Sequence, residues 1–123
     1  MGHFADCIKI ILTEEGGLSV DARDPGGTTK YGISQRAYPS LDIRALTLDD
    51  ATTLYHRDYW TPIRGDDFPA GLALLLLDTA VNMGPATAVK LLQTTLQVTA
   101  DGIPGPNTQT AALLAMGRAP SPP

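Results

Sequence analysis

Carboxylates between residues 14 and 24 are the side chains of this sequence best suited to acid–base chemistry. Glu14 and Glu15 follow apolar residues with helical spacing, so they lie at the end of a predicted amphipathic helix over residues 3–15. Asp21 and Asp24 come shortly afterwards, in a glycine-rich stretch. Cleavage of a glycosidic bond needs one acid to protonate the leaving oxygen, and usually a second carboxylate to stabilise or attack the oxocarbenium ion. Such an acid works near neutral pH only if apolar surroundings raise its pKa.

The residues around these carboxylates predict the elements that position them. Gly16 and Gly17 stop the helix and fix where Glu15 points, because glycine adopts backbone conformations closed to other residues. The run Asp24–Gly27, DPGG, is typical of a turn. The residues Thr28–Ile33 then suit a short extended segment or one arm of a hairpin. We therefore predict helix, acid, loop, acid and a small β-like element, in that order.

The amino-acid sequence of this stretch resembles that of glycoside hydrolase family 108. The first motif is EGG at residues 15–17 with DPGGTTKYGIS at residues 24–34. A second patch resembles the peptidoglycan-binding-like region that often follows in the family: DTAVNMG at residues 78–84, LLQ at 91–93 and DGIPGPNT at 101–108. Members of this family are N-acetylmuramidases of the phage endolysin type. The resemblance spans roughly residues 4–112 and implies a lysozyme-like fold and hydrolysis of peptidoglycan glycan strands.

By that resemblance, Glu15 stands at the position of the family's catalytic glutamate and is expected to act as general acid. The alternative is an inert carboxylate at a helix end. If the alignment with the family motif were shifted by one residue, Glu14 would take the place of Glu15 as general acid. Successive residues of a helix are rotated by about 100°, so Glu14 and Glu15 cannot face one cleft equally. Asp24 is the candidate second carboxylate, although it can equally cap the DPGG turn. Asp21 is better explained as a solvated loop residue.

Five further residues are candidate sugar contacts, each with a structural alternative. Thr28 or Thr29 could orient a water or touch sugar hydroxyls, or simply favour a strand. Tyr31 and Trp60 could be sugar platforms, but packing is the better interpretation of both. Asn82 either caps backbone groups or reaches the cleft.

The remaining pattern predicts a mainly α fold. A threonine cap at Thr47 with an acid three residues later begins a second helix, which we expect to end at Trp60-Thr61-Pro62. Residues 71–83 are apolar nearly all round and predict a central buried helix, closed by Gly84-Pro85. Two more helices are predicted over residues 86–98 and 107–116. We expect a lysozyme-like catalytic region at 1–68, a helical peptidoglycan-binding-like region packed on it at 69–117, and a flexible tail at 118–123.

Composition excludes several other classes of function. The formal net charge of −4 argues against general binding to nucleic acid. A negative net charge also disfavours binding to an anionic cell wall, although the local charge of a cleft can differ from the net charge. Cys7 is the single cysteine, and His3 and His56 lack the spacing of metal ligands, so we predict neither a metal nor a cofactor.

No signal peptide or membrane-spanning run is recognisable, so we expect a protein made in the cytoplasm, with no stable membrane insertion. We also expect it to be a monomer. The family resemblance then implies release to the wall through a holin or cell lysis, with peptidoglycan as the partner. Two rival functions stay open. One is a non-catalytic glycan-binding scaffold, and the other is a lytic transglycosylase, which forms anhydro-muramic ends without water.

Overall fold

The structure, a computed structural model, describes residues 3–15 and 27–117, and for residues 13–15 the backbone alone. Within these ranges the chain is mainly α with one small two-stranded antiparallel sheet, which confirms the predicted fold class. Its contacts divide it into two compact units. The hairpin unit is Ile8–Tyr55, and the helical unit is Met1–Cys7 with His56–Pro123. None of the helices in the described part is long and apolar enough to cross a membrane.

The hairpin unit contains most of helix α1 (Phe4–Glu15), the strands β1 (Thr29–Lys30) and β2 (Ile33–Ser34), and helix α2 (Leu48–Tyr55). A 3-10 turn at Ile43–Ala45 precedes α2. Apolar side chains from α1, β2, the 3-10 turn and α2 are buried, because the helices and the hairpin each turn one apolar side inward. These buried side chains are Ile8, Ile11, Ile33, Ile43, Leu46, Ala51, Leu54 and Tyr55.

Helix α2 begins with the reciprocal pair of hydrogen bonds that the sequence predicts. The backbone N–H of Asp50 donates to Thr47 Oγ1 at 3.1 Å, and the backbone N–H of Thr47 donates to Asp50 Oδ2 at 3.1 Å. Both N–H groups belong to the start of the helix, where no carbonyl of the helix can accept from them. The predicted capping box is therefore confirmed.

The helical unit consists of a π-helical turn at His56–Trp60, a short helix α3 (Thr61–Ile63), and three longer helices. These are α4 (Ala70–Met83), α5 (Pro85–Leu96) and α6 (Pro106–Ala115). Helix α5 packs against α3, α4 and α6. Gly84, with φ of 94°, separates α4 from α5 in a backbone conformation that glycine tolerates, as the Gly84-Pro85 pair predicts.

The second predicted helix does not end at Trp60-Thr61-Pro62, and this expectation was wrong. Helical backbone continues through the π turn to Ile63, and Arg64 then takes the left-handed conformation that ends it. Proline in a regular helix removes one hydrogen bond and clashes with the carbonyl four residues earlier. Here Pro62 is the second residue after the wider π turn and occupies the first turn of α3, where a proline is tolerated.

Helix α4 is less buried than its composition predicts. Ala73, Leu76, Leu77 and Ala80 are buried, but Leu75 is 62% exposed. The exposed side lines an apolar groove together with residues of α5 and α6, namely Leu92, Leu96, Ala112, Ala115 and Met116. An apolar composition all round the helix therefore reflects a core on one side and a groove on another.

A buried glutamine joins α5 to the loop before α6. Gln93, 1% exposed, has its Nε2 within hydrogen-bond distance of Asp101 Oδ1 (2.9 Å), the Ile103 carbonyl (2.9 Å) and Thr108 Oγ1 (3.0 Å). Its Oε1 accepts from the backbone N–H of Gly102 at 2.9 Å. Because the amide nitrogen carries two hydrogens, three acceptors share two donors. The LLQ and DGIPGPNT motifs thus meet in one structural cluster.

Candidate active site

Helix α1 carries the candidate general acid to its last position. Cys7, Ile8 and Ile11 are buried and anchor the helix, and Glu14 and Glu15 are its final two residues. The predicted placement of Glu15 at a helix end agrees with the backbone. The side chain of Glu15, and the whole of Asp24 with its turn, lie outside the described residues, so their roles stay predictions.

The small β-like element is a tight hairpin. Thr29 pairs with Ser34 and Lys30 with Ile33, and the pairing is extended by a 2.8 Å bond from the Gln35 N–H to the Thr28 carbonyl. The two connecting residues, Tyr31 and Gly32, have φ of 52° and 77°. Two positive φ values in a two-residue loop match the type I′ geometry that suits the twist of paired strands. The hairpin brings Thr28, Thr29 and Tyr31, all half-buried, into one short element.

Two side chains from other parts of the hairpin unit hold this element. The hydroxyl of Tyr55, on α2, donates to the Tyr31 carbonyl at 2.6 Å. Lys30 Nζ donates to the Arg44 carbonyl at 3.0 Å and lies 5.6 Å from the centroid of the Tyr31 ring. Tyr55 was not among the residues that the sequence singled out for a role at the site. Its hydroxyl partner is 24 residues away, and no local pattern signals such a pair.

Gln35 organises the turn that leaves the hairpin. Its Nε2 lies 2.9 Å from the Tyr38 carbonyl, 3.3 Å from that of Pro39 and 2.8 Å from that of Leu41. One amide therefore ties three backbone carbonyls of a loop that lacks regular structure. The hairpin is thus fixed at its tip by Tyr55 and beyond β2 by Gln35.

Trp60 lies in the core of the helical unit. It is 1% exposed, its indole N–H donates to Asp66 Oδ1 at 3.2 Å, and the Phe4 ring packs 5.4 Å away. A ring this buried has no face on which a saccharide can stack. The packing interpretation of Trp60 therefore accounts for the structure better than the sugar platform.

Asn82 is exposed near the end of α4, and its Nδ2 donates to the Asp78 carbonyl at 2.8 Å. The same nitrogen lies 3.5 Å from Asp78 Oδ1. Asp78 is half-buried and can be solvated directly, so its carboxylate needs no buried partner. Asn82 and Trp60 both belong to the helical unit, whereas the threonines and Tyr31 belong to the hairpin unit.

Among the side chains that the structure describes, those of residues 3–12 and 27–117, no three from His, Cys, Asp or Glu converge as metal ligands would. Glycoside hydrolysis by an acid and a second carboxylate requires no metal ion.

Comparison with protein families decides the family of the chain. The family model described as glycosyl hydrolase 108 matches residues 8–84, more than half of the 123 residues. This chain belongs to glycosyl hydrolase family 108. The matched range contains α1 from Ile8, the hairpin and all of α2 and α4 up to Gly84. The LLQ and DGIPGPNT motifs lie beyond it, so the peptidoglycan-binding-like assignment of the C-terminal region stays a prediction.

Solved structures support the same family assignment. The structure of SagA from Brucella abortus has 38% sequence identity and a TM-score of 0.78, and the match covers 89% of this chain and 67% of that one. A search of curated proteins found no match. The chain is thus a family 108 glycoside hydrolase by sequence. Its structure matches about two thirds of the length of a solved relative.

Proposed function

We propose that this family 108 chain is an N-acetylmuramidase that hydrolyses the glycan strands of peptidoglycan. The observation that carries the proposal is the family match over residues 8–84, which contains Glu15 at the carboxyl end of α1 and the hairpin that follows. The order of a helix ending at Glu15, a glycine-rich stretch of sequence and a small hairpin agrees with the order of elements predicted around the family 108 motif.

In this proposal Glu15 is the general acid and protonates the glycosidic oxygen as the bond to the anomeric carbon breaks. Asp24 assists, either by stabilising the oxocarbenium ion or by holding the water that attacks it. The water adds its hydroxyl to the anomeric carbon and gives its proton to a carboxylate. The products are two shorter glycans, one with a reducing muramic end.

The hairpin supplies the proposed glycan contacts. Thr28 and Thr29 offer hydroxyls to sugar hydroxyls or to the attacking water, and Tyr31 offers a ring beside the ammonium of Lys30. Asn82 is retained as a predicted contact because its amide is exposed. Trp60 is left out, because its buried ring supports the core.

The proposal extends to the biology that the resemblance implies. The chain would be made in the cytoplasm, reach the wall through a holin or through lysis, and act there as a monomer. These parts are separable from the chemistry, because purified protein and purified peptidoglycan are sufficient to test the reaction.

The decisive experiment compares the native chain with Glu15→Gln, using Glu14→Gln as the matched control. We expect Glu15→Gln to lower the rate of peptidoglycan clearing by at least about a hundred-fold, the range typical of a lost general acid. Glu14→Gln removes the same charge one residue earlier in the same helix turn and should clear at nearly the native rate. Mass spectrometry of the released fragments identifies the new ends.

Each outcome of this experiment identifies either the function of the chain or the residue that acts as general acid. Reducing muramic ends that depend on Glu15 would support the muramidase. Anhydro-muramic ends would identify a lytic transglycosylase instead. A folded native chain that binds peptidoglycan without releasing fragments would support the glycan-binding scaffold, and loss of activity in Glu14→Gln alone would move the general acid to Glu14.

A further inference from the structure

The hairpin that carries the candidate glycan contacts is too small to be stable by itself. Strands β1 and β2 contribute two residues each. A two-stranded hairpin is marginal in water without support from neighbouring elements. The conformation of Thr28, Thr29 and Tyr31 therefore depends on contacts from the rest of the hairpin unit.

The tip of the hairpin has an additional need for support. Tyr31 has φ of 52°, in the left-handed region that disfavours residues with a bulky side chain. Asparagine, aspartate or glycine is the usual residue at this position of a type I′ turn. An aromatic residue persists there only when surrounding contacts fix it, and such conformations concentrate at functional sites.

Tyr55 supplies the contact that fixes this residue. Its side chain is 1% exposed, so the ring has a defined position in the core. Its hydroxyl donates a 2.6 Å hydrogen bond to the carbonyl of the strained residue itself, Tyr31. The buried ring of Tyr55 thereby fixes the position of the Tyr31 carbonyl, and with it the conformation of the hairpin tip.

We infer that Tyr55 is a positioning residue for glycan binding: through the Tyr31 carbonyl it holds the hairpin in the conformation that contacts the substrate. The inference rests on the proposed muramidase function and deepens it. Tyr55 need not touch the glycan, because it acts through the backbone of Tyr31.

The test is Tyr55→Phe, which keeps the buried ring and removes the hydroxyl. With soluble glycan fragments of peptidoglycan as substrate, we expect KM to rise about five-fold, while kcat stays within about two-fold. A five-fold change corresponds to about 1 kcal/mol, the net contribution of a typical hydrogen bond. Thermal melting of each variant, with assays well below its Tm, verifies that the folded protein is compared.

Thr53→Val is the matched control. It removes a hydroxyl two residues earlier on α2, and this hydroxyl donates within the helix to the Asp49 carbonyl at 3.0 Å. Valine has nearly the shape of threonine, so the helix surface is conserved. Because this hydroxyl does not bond to the hairpin, we expect the KM of Thr53→Val to equal that of the native chain.

The outcomes separate the inference from the function on which it rests. An active native chain with unchanged KM in Tyr55→Phe, even with a lowered Tm, would make the hydroxyl a stability contact and overturn the inference alone. A fall in kcat at unchanged KM would also contradict it. A native chain that releases no fragments would overturn the proposed function, and the inference with it.

Discussion

Gly65 shows how a missing side chain shapes the helical unit. It is buried in the 3-10 turn after α3, directly against the indole of Trp60. A Cβ atom added to Gly65 would lie 2.5 Å from Trp60 Cε2, closer than carbon atoms can approach. The indole also donates to Asp66, so it cannot move away without losing that bond. Glycine is therefore needed here for close approach.

We predict that Gly65→Ala lowers the free energy of unfolding by about 1–3 kcal/mol, the usual cost of overpacking a core. Gly71→Ala is the control, because a Cβ at Gly71 meets nothing within 4 Å and that residue lies in α4. Alanine in place of a helical glycine should stabilise by about 0.5–1 kcal/mol. Denaturant unfolding measures both, and equal effects would contradict the close-contact argument.

Some residue roles were predictable from local sequence and others were not. Thr47 and Asp50 were recognisable because a capping box is a local pattern, and the structure confirms it. Trp60 left two interpretations open because its burial depends on Phe4, which is far away in sequence. The hydrogen bond of Tyr55 was invisible for the same reason. Long-range partners decide what a polar aromatic residue does.

Elements were predicted well where a turn residue marks their ends. Gly84-Pro85 separates α4 from α5 as expected, and the hairpin follows the DPGG stretch. The π turn at His56–Trp60 was missed, because an extra residue in a helix turn leaves no signature in apolar spacing. The exposure of Leu75 was missed because composition cannot tell a core side from a groove.

The connection between α5 and α6 depends on one amide, and this gives a prediction. Gln93→Glu would replace a buried donor by a carboxylate facing Asp101 and two further oxygens. We expect a loss of about 3 kcal/mol or more in stability at neutral pH, because a buried carboxylate would then face the Asp101 carboxylate, with the backbone N–H of Gly102 still donating to it. Thermal or denaturant unfolding measures the loss.

Gln97→Glu is the control for that charge. Gln97 is exposed at the carboxyl end of α5. A negative charge there should cost only about 0.5 kcal/mol through the helix dipole. If the two variants lose similar stability, charge rather than the buried network would explain the effect.

At the scale of the whole molecule, Asp50 in one unit and Asp101 in the other each have a pKa that hydrogen bonds lower. Backbone and side-chain hydrogen bonds from Thr47 lower the pKa of Asp50 in the hairpin unit. The backbone N–H of Ile103, and then the side chain of Gln93, lower the pKa of Asp101 in the helical unit. A lowered native pKa stabilises the fold above the pKa of the unfolded state, near about 4 for aspartate. This stability is lost as the pH falls through the native pKa.

We therefore predict that the Tm of the native chain falls as the pH drops below about 4. Asp50→Asn and Asp101→Asn should each have a lower Tm than the native chain at pH near 7, and the difference should close in acid. Because the hydrogen-bond partners of Asp50 and Asp101 given above are different residues, the effects should add in the double variant. A difference that stays constant in acid would show that ionisation of these carboxylates is not its cause.

The EGG and DPGGTTKYGIS motifs predicted the family, and the helical patterns in the rest of the chain predicted the mainly α class. The predicted boundary at residues 68 and 69 has no such local support and stays a prediction. Ile63 and Phe68 are both buried and precede that boundary, and they belong to the same compact unit as α4 and α5. The division of the chain into compact units depends on contacts between residues that are far apart in sequence, and no single segment contains both partners.

The burial of Trp60 has a spectroscopic consequence. Trp60 is the single tryptophan of the chain, so all indole fluorescence arises from the core of the helical unit. Its emission reports when that core admits water, whereas circular dichroism averages over the helices of both units. Coincident curves from the two signals would indicate one cooperative transition. Separate curves would show which unit melts first, without any introduced label.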